Sequence, residues 1–256
     1  NDAYTDMQKQ TVTLNFASAE SVEITINQTV FGPVIDEFDG INLPYSYAFR
    51  WAVADGNRAI DAIFAANRAT DWESFQSAFE LFDAPGLNVL YADTVGNIGY
   101  LLGGRIPIRA EGHTGNRPVS GVDDTYMWQG YVDAHTTPRL FNPAAGYILS
   151  ANNAMIDADD FPHPIAYFYD YGFRAARLET LLQAYDQHNI ETFAEIQLDT
   201  YHPAAEFLLP VLAELEFEDE TSQTLVDWLQ TWDYQNGVDS PQAALFNVFL
   251  SNVMLY

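Results

Sequence analysis

The chain has 256 residues, 48% hydrophobic and 14% aromatic, which is enough to bury a sizeable core in one large domain or two small ones. The 36 acidic and 10 basic residues give a formal charge of −26, which repels nucleic-acid phosphates, so nucleic acid is not an expected partner. No apolar run approaches the roughly 18 residues of a membrane span, and the absence of cysteine excludes disulfides, thiolate metal sites and a cysteine nucleophile within these residues.

The first part of the chain is predicted to contain strands followed by helices. Residues 11–16 and 22–26 alternate apolar and polar side chains, which predicts a β-hairpin. Apolar residues recur at helical spacing over 59–69. Residues 70–73 read Thr-Asp-Trp-Glu, a capping-box pattern that predicts the start of another helix.

The middle of the chain is predicted to be a second β section followed by loops. Residues 88–93 and 98–102 are strand-like and flank turn-forming residues at 95–97, a spacing that suits a hairpin. Residues 105–143 hold many turn-formers, which predicts loops and short strands. The apolar stretch at 146–150 predicts one more strand.

The last third is predicted to be mostly helical. No internal repeat or linker-like tract interrupts the chain, so residues 1–256 are predicted to form a single α+β unit. Neither end shows a natural start or a helix C-cap, so both are expected to be cuts within a longer protein. The predicted helices, with Asn189 and Ser240 as N-caps, are 173–185, 190–215, 222–232 and Pro241 onward.

Residue patterns alone nominate no reaction. The five histidines are scattered and form no H-E-x-x-H motif, so a zinc site is not expected. Residues 157–160 have the look of a cation loop, but they lack the glycine and distal glutamate of an EF-hand, and a solvated acidic turn is preferred. No serine lies in a G-x-S-x-G elbow.

A series of short motifs follows one another over nearly the whole chain, and their order and intervals are informative. They are FGPVI (31–35), FRW (49–51), ANRATDW (66–72), YAD leading into GNIGY (91–100), GRIPIR (104–109), WQGY (128–131), PR with NP (138–143), GYI (146–148), ANN (151–153), GFR (172–174) and IQLD (196–199). Together they resemble the penicillin amidase family, which also includes cephalosporin and acyl-homoserine-lactone acylases.

The resemblance implies part of a four-layer αββα fold, that of N-terminal-nucleophile hydrolases, with α and β subunits cut from one precursor. It implies cleavage of a small N-acyl amide, such as a β-lactam side chain or an acyl-homoserine lactone, by acyl transfer to an N-terminal serine or cysteine. This chain begins at Asn1 and resembles an internal part of the β subunit, so the nucleophile is expected outside it and the fragment alone is expected to be inactive. The α subunit and the remaining β-subunit segments are the implied partners. The alternative is a degenerate member that binds small acylated molecules without cleaving them.

Four residues fall on functional positions of the family. Asn152 matches the asparagine that donates a side-chain N–H to the oxyanion, and its alternative is an Asn-Asn turn that satisfies its own backbone. Arg174 matches an arginine that orients the site, with a surface ion pair as the alternative and Arg177 as the expected surface residue. Leu87 and Ile63 match positions that line the acyl-group pocket, and core packing is their alternative.

No cofactor is expected from these residues. A structural calcium is common in the family, but the stretch between Asn152 and Arg174 offers His163 and Pro164 where the family would have an acid. The resemblance also implies a periplasmic or extracellular protein, because precursors of the family are often exported, and no membrane partner is implied.

Overall fold

The computed structural model describes residues 5–38 and 40–254, which form two compact units. Unit 1 runs to Ile148 and also includes Ile156–Phe168, whereas unit 2 contains Leu149–Met155 and the chain from Tyr169 onward. The architecture is α+β with antiparallel sheets, as predicted. The expectation of a single unit with two cut ends stays a prediction, and residues 1–4 and 255–256 at those ends lie outside the described part.

The first sheet of unit 1 is antiparallel, with its strands in the order β1–β2–β3–β4. The predicted opening hairpin is confirmed, because β1 pairs with β2 and Val12 lies opposite Ile24. Residues directly opposite in an antiparallel pair share a face, so the alternating apolar residues of the two strands meet. The strands are β1 (Gln8–Leu14), β2 (Val22–Thr29), β3 (Gly32–Phe38) and β4 (Ile41–Ala48).

The predicted helices of unit 1 are confirmed as α1 (Ala59–Ala66) and α2 (Trp72–Phe79). The predicted capping box is wrong by one residue, because Asp71 rather than Thr70 is the N-cap of α2. Asp71 has an extended backbone and its Oδ1 accepts the Ser74 backbone N–H at 2.8 Å, while the Ser74 hydroxyl accepts the Asp71 N–H at 3.3 Å. An aspartate is a strong N-cap, and Ser74 completes the reciprocal pair.

The second sheet of unit 1 has the order β5–β6–β7, and its first two strands confirm the predicted hairpin. The prediction of a strand at 146–150 is wrong, because no strand includes these residues in the described chain. A strand needs a neighbouring strand to complete its backbone hydrogen bonds, and an apolar sequence does not supply one. The short strand of the loop-rich stretch lies earlier, as β7. The strands are β5 (Leu87–Ala92), β6 (Ile98–Gly103) and β7 (Arg139–Phe141).

Aromatic side chains hold α2 against this second sheet. The indole of Trp72 lies 5.3 Å from the Tyr91 ring and is stacked 5.2 Å from the Phe141 ring. This packing requires Gly99 on β6, because a Cβ there would lie only 2.5 Å from the indole. Such aromatic pairs stabilise the packing beyond the area that they bury.

The helices of unit 2 are confirmed, with one correction. The single helix expected over 190–215 is two helices, because Pro203 occupies the first position of the second one. Proline disfavours helical backbone at the preceding residue, and His202 is accordingly non-helical, with φ −108° and ψ 85°. The helices are α3 (Phe173–Gln183), α4 (Ile190–Gln197), α5 (Pro203–Ala213), α6 (Glu220–Leu229) and α7 (Pro241–Met254).

Both predicted N-caps of unit 2 are confirmed. The Asn189 side chain accepts the Thr192 backbone N–H at 2.9 Å at the start of α4. The Ser240 hydroxyl accepts the Ala243 backbone N–H at 3.2 Å at the start of α7. Each bond satisfies one of the backbone donors that a helix start leaves without an intrahelical partner. No helix of the described chain is long and apolar enough to cross a bilayer.

The core of unit 2 forms where α5, α6 and α7 meet. Leu209 on α5 and Phe246 on α7 are completely buried, and the Phe246 ring lies 5.8 Å from that of Trp232. Leu229 of α6 belongs to the same cluster. Unit 2 therefore has an apolar core of its own.

Replacing Phe246 with alanine should lower the free energy of unfolding by about 3 to 5 kcal/mol, because the change removes a buried ring and leaves a cavity. Val248→Ala is the matched control on the same helix, since Val248 is 62% exposed and its loss should cost well under 1 kcal/mol. Denaturant unfolding of the full-length protein measures both changes. Equal losses in the two variants would contradict this packing.

Candidate active site

Asn152 lies in a short turn of unit 2 with its side chain exposed to solvent. Its φ of 61° lies in the left-handed region, which asparagine tolerates better than most residues. The backbone N–H of Asp170 donates to the Asn152 carbonyl at 2.8 Å. The neighbouring Asn153 side chain accepts the Ala151 backbone N–H at 2.9 Å. Asn153, not Asn152, is therefore the asparagine whose side chain caps the local backbone.

The structure brings Arg174 and Asn152 together. Arg174 is the second residue of α3, and its Nη2 lies 2.9 Å from Asn152 Oδ1 and 3.0 Å from the Ala151 carbonyl oxygen. Asp170 Oδ1 lies 3.2 Å from the same nitrogen, one helical turn earlier in sequence. The Arg174 side chain is 58% exposed, so its pairing with Asp170 adds little stability. The hydrogen bond to Asn152 therefore matters for orientation more than for stability.

This hydrogen bond fixes which end of the Asn152 carboxamide faces outward. A guanidinium can only donate hydrogen bonds, so the carboxamide must present its oxygen to Arg174. The Nδ2 amino group then points the other way, and it has no hydrogen-bond partner among residues 5–38 and 40–254. The arrangement leaves two N–H donors available at an exposed position. Such a pair can bind an oxygen that carries negative charge.

The ion pair between Arg177 and Asp199, which supports α3, was not expected from sequence. Arg177 was predicted to be the surface arginine, but its guanidinium forms two bonds to the Asp199 carboxylate, at 2.9 Å and 2.7 Å. Both side chains are more buried than Arg174, at 27% and 18% exposed. The Arg177 hydrogen bonds lower the pKa of Asp199, and the guanidinium also lies 4.5 Å from the centre of the Tyr201 ring. The only sequence signal was the place of Asp199 at the end of the IQLD motif.

Leu87 and Ile63 both lie in unit 1. Leu87 is the first residue of β5 and is 42% exposed, and Ile63 lies on α1 and is 46% exposed. Neither is fully packed in a core, and their pocket role stays a prediction. A cavity of about 160 Å³ in unit 1 is bordered by Asp83, Arg105 and Tyr131 and does not include either of the two residues.

A carboxylate network in unit 1 joins two of the motifs. Asp55 receives two hydrogen bonds from Arg50, at 2.7 Å and 2.6 Å, and a third from the Tyr131 hydroxyl at 2.5 Å. The guanidinium of Arg50 also lies 4.6 Å from the centre of the Trp128 ring. The hydrogen bonds from Arg50, followed by that from Tyr131, lower the pKa of Asp55 to about 2. The FRW and WQGY motifs are therefore held together by one charged group.

Because folding lowers the pKa of Asp55 from 3.8 to about 2, its contribution to stability is complete above about pH 4 and disappears as the pH falls through 2. Asp55→Asn should lower the free energy of unfolding at pH 7 by roughly 1 kcal/mol after allowance for solvent screening. The difference from wild type should vanish near pH 2. Urea unfolding of the full-length protein between pH 2 and 7 tests this, with the exposed Asp124→Asn as control. A deficit that is constant with pH would contradict the assignment.

No group of three or more metal-ligating side chains forms within the described ranges. In the acidic stretch 157–160, Asp157 Oδ1 accepts the backbone N–H of Asp159 at 3.1 Å and starts a short 3-10 helix. This is the geometry of a capped acidic turn. The expectation of no cofactor stays a prediction.

The family resemblance is confirmed by comparison with known proteins. The family model described as penicillin amidase matches residues 1–255, so the chain belongs to the penicillin amidase family. Penicillin acylase 2 proenzyme from Pseudomonas sp. (strain SE83) is 29% identical over 89% of this chain and 29% of that protein. Acyl-homoserine lactone acylase QuiP from Pseudomonas aeruginosa is 27% identical over 68% of this chain and 21% of that protein.

The solved structures include a thermostable penicillin G acylase from Alcaligenes faecalis with the same fold. Its TM-score is 0.73 at 24% identity, over 94% of this chain and 43% of that one. The likeness supports the α+β fold alone. The chain spans less than a third of the length of the two curated relatives described above.

Proposed function

We propose that this chain is part of an amide hydrolase that cleaves a small N-acyl amide by acyl transfer. The chain's family and its relatives, which are named as acylases, support this class of reaction. In the proposed enzyme the attacking serine or cysteine is the N-terminal residue of a β subunit and lies outside these residues. Its oxygen or sulfur attacks the amide carbon, the amine leaves with a proton, and water then hydrolyses the acyl-enzyme.

The observation that carries the proposal is the orientation of the Asn152 carboxamide. In this reaction the carbonyl oxygen of the substrate becomes an oxyanion at each tetrahedral intermediate. Asn152 Nδ2–H donates to that oxygen, and Arg174 holds the carboxamide in position before the substrate binds. A fixed donor of this kind stabilises the transition state by roughly 3 to 4 kcal/mol, because it needs no reorganisation as charge develops.

The same proposal extends to the subunits, the substrate and the location of the protein. The chain forms part of a four-layer αββα arrangement with the α subunit and the other β-subunit segments of its precursor. The substrate carries an apolar acyl group that contacts Leu87 and Ile63, and no cofactor takes part. The precursor is exported to the periplasm or outside the cell.

Asn152→Gly in the full-length enzyme should lower kcat by about a hundredfold to a thousandfold with little change in KM, because it removes the donor while keeping a residue that tolerates φ of 61°. Asn152→Asp tests the same point without loss of volume, since a carboxylate cannot donate. The control is Asn252→Ala, an exposed asparagine on α7. Steady-state kinetics on a panel of N-acyl amides, with unfolding curves for each variant, measure the effect. Near-normal turnover in both Asn152 variants would refute the role, and tight binding without turnover by the wild type would favour the non-catalytic alternative.

Arg174→Lys should lower kcat by roughly tenfold and leave KM nearly unchanged. Lysine keeps the positive charge beside Asp170, but its compact ammonium cannot reproduce the planar guanidinium that holds the Asn152 oxygen and the Ala151 carbonyl. Arg68→Lys, an exposed arginine of unit 1, is the control. An unchanged kcat in Arg174→Lys would show that the orientation of Asn152 does not depend on the guanidinium.

A further inference from the structure

Asp83 is a buried carboxylate in the loop that connects α2 to β5, with only 3% of its side chain exposed. It receives the Arg58 backbone N–H at 2.8 Å and longer bonds from the Arg58 side chain, the nearer at 3.3 Å. Arg105 Nη2 lies 2.8 Å from its other oxygen. Burial raises the pKa of Asp83, but the Arg58 hydrogen bonds and the two positive charges outweigh burial and hold the pKa below its ordinary value. The group is therefore an ionised carboxylate held by two arginines.

These bonds join three separate parts of unit 1. Arg58 is the residue immediately before α1, and Arg105 follows the end of β6. Two backbone carbonyls of the loop accept further hydrogen bonds: the Arg105 backbone N–H donates to the Asp83 carbonyl at 2.8 Å, and the Asn57 side-chain Nδ2 donates to the Ala84 carbonyl at 3.1 Å. The loop that leads into β5 is thus fixed on one side to the start of α1 and on the other to the end of β6.

A close backbone contact restricts the same loop further. Gly104 has a φ of 111°, and a Cβ at this position would lie 2.9 Å from the Gly86 Cα. Leu87, the residue after Gly86, pairs with Gly103 across the β5–β6 ladder. Leu87 therefore begins its strand directly after a segment that is anchored by the Asp83 bonds and by this contact.

We propose that Asp83 is a positioning residue that fixes α1, which carries Ile63, relative to the start of β5, which carries Leu87, and thereby sets acyl-group specificity. The inference rests on the proposed function, because the two apolar residues matter only if an acyl group lies against them. Asp83 does not contact the substrate. It acts because its single carboxylate binds both Arg58, which precedes α1, and Arg105, which follows β6.

Neutralising Asp83 should loosen this junction. A carboxamide cannot accept as strongly from two guanidinium groups, and the charges of Arg58 and Arg105, which meet at the same Asp83 oxygen, would then repel each other. Both residues border the cavity of about 160 Å³. The space beside them allows the loop to shift. The expected consequence is a change in the separation of Ile63 and Leu87 and not a general loss of the catalytic apparatus.

The experiment compares the full-length wild type with Asp83→Asn, Arg105→Lys and the control Asp93→Asn. Arg105→Lys is a milder change that keeps a positive charge beside Asp83, so it provides the test if Asp83→Asn does not fold. Asp93 lies at the other end of β5, where its Oδ1 accepts the backbone N–H groups of Val95 and Asn97 within one turn. The control removes a structured carboxylate of the same sheet without touching the loop into Leu87.

The first readout is selectivity. Acetyl, butyryl, octanoyl and phenylacetyl p-nitroanilides report kcat/KM for small and large acyl groups. The ratio of octanoyl to acetyl kcat/KM should change by about tenfold or more in Asp83→Asn and by a smaller factor in Arg105→Lys, since pocket geometry discriminates by this order of magnitude. Asp93→Asn should keep the wild-type ratio. Equal ratios in folded Asp83→Asn, Arg105→Lys and wild type would overturn the proposal.

The second readout does not need turnover. The 256 residues contain no cysteine, and both Ile63 and Leu87 are nearly half exposed. Once any cysteine in the rest of the full-length protein is replaced by serine, Ile63→Cys and Leu87→Cys can carry a pair of nitroxide labels. Continuous-wave and pulsed electron paramagnetic resonance should show a shifted or broadened separation in Asp83→Asn and an unchanged one in Asp93→Asn. A wild type that cleaves none of the amides would refute the proposed function alone, and the label separation would then decide the positioning role. An unchanged separation in Asp83→Asn and Arg105→Lys would overturn it.

Discussion

The hydrogen bond from Arg174 to Asn152 is the constraint on which the candidate site depends. A free carboxamide can turn either its oxygen or its amino group toward a ligand, whereas a carboxamide held by a guanidinium cannot. Arg174 is held in turn by its place at the start of α3, and the Arg177–Asp199 pair ties that helix to the end of α4. The chemistry of one exposed amide is therefore supported by a chain of contacts that leads into the helices of unit 2.

Three arginines of this chain bind carboxylates at junctions between parts of the fold. Only 10 residues are lysine or arginine in a chain with a formal charge of −26. Within the part of the chain that the structure describes, the arginines that form ion pairs with aspartates are Arg50, Arg58, Arg105, Arg174 and Arg177. Arg50 meets Asp55 and links two motifs that are distant in sequence, while Arg58 and Arg105 meet at Asp83. Ion pairs at such junctions contribute to geometry even where their contribution to stability is small.

Local signals predicted most of the fold. Alternating residues located the first hairpin, and strand-like runs on both sides of a turn located the second. Helical spacing with N-caps such as Asn189 located the helices. The failures have physical causes. Residues 146–150 are apolar enough for a strand, but no strand pairs with them in the described chain. The helix-like pattern over 190–215 is interrupted after Gln197, and Pro203 starts a second helix because its ring disfavours helical backbone at His202. An apolar pattern alone cannot show whether a neighbouring strand is available.

Part of the candidate site was predicted from sequence, and part became visible only in the structure. Asn152 and Arg174 were proposed together from the motifs, and the structure places them in hydrogen-bond contact. The Asp83 junction could not have been found from sequence, because its partners Arg58 and Arg105 are more than 20 residues away and no spacing rule connects them. Burial of a carboxylate becomes visible only when the chain is folded.

The role of Asn152 as oxyanion donor can be tested by a structure of the full-length enzyme with a phosphonate that forms a tetrahedral adduct on the nucleophile. We expect Asn152 Nδ2 to lie about 2.7 to 3.1 Å from the adduct oxygen that stands for the oxyanion, with Oδ1 still bound by Arg174. An adduct oxygen beyond hydrogen-bond distance of Asn152, or a carboxamide that turns its oxygen toward the adduct, would contradict it.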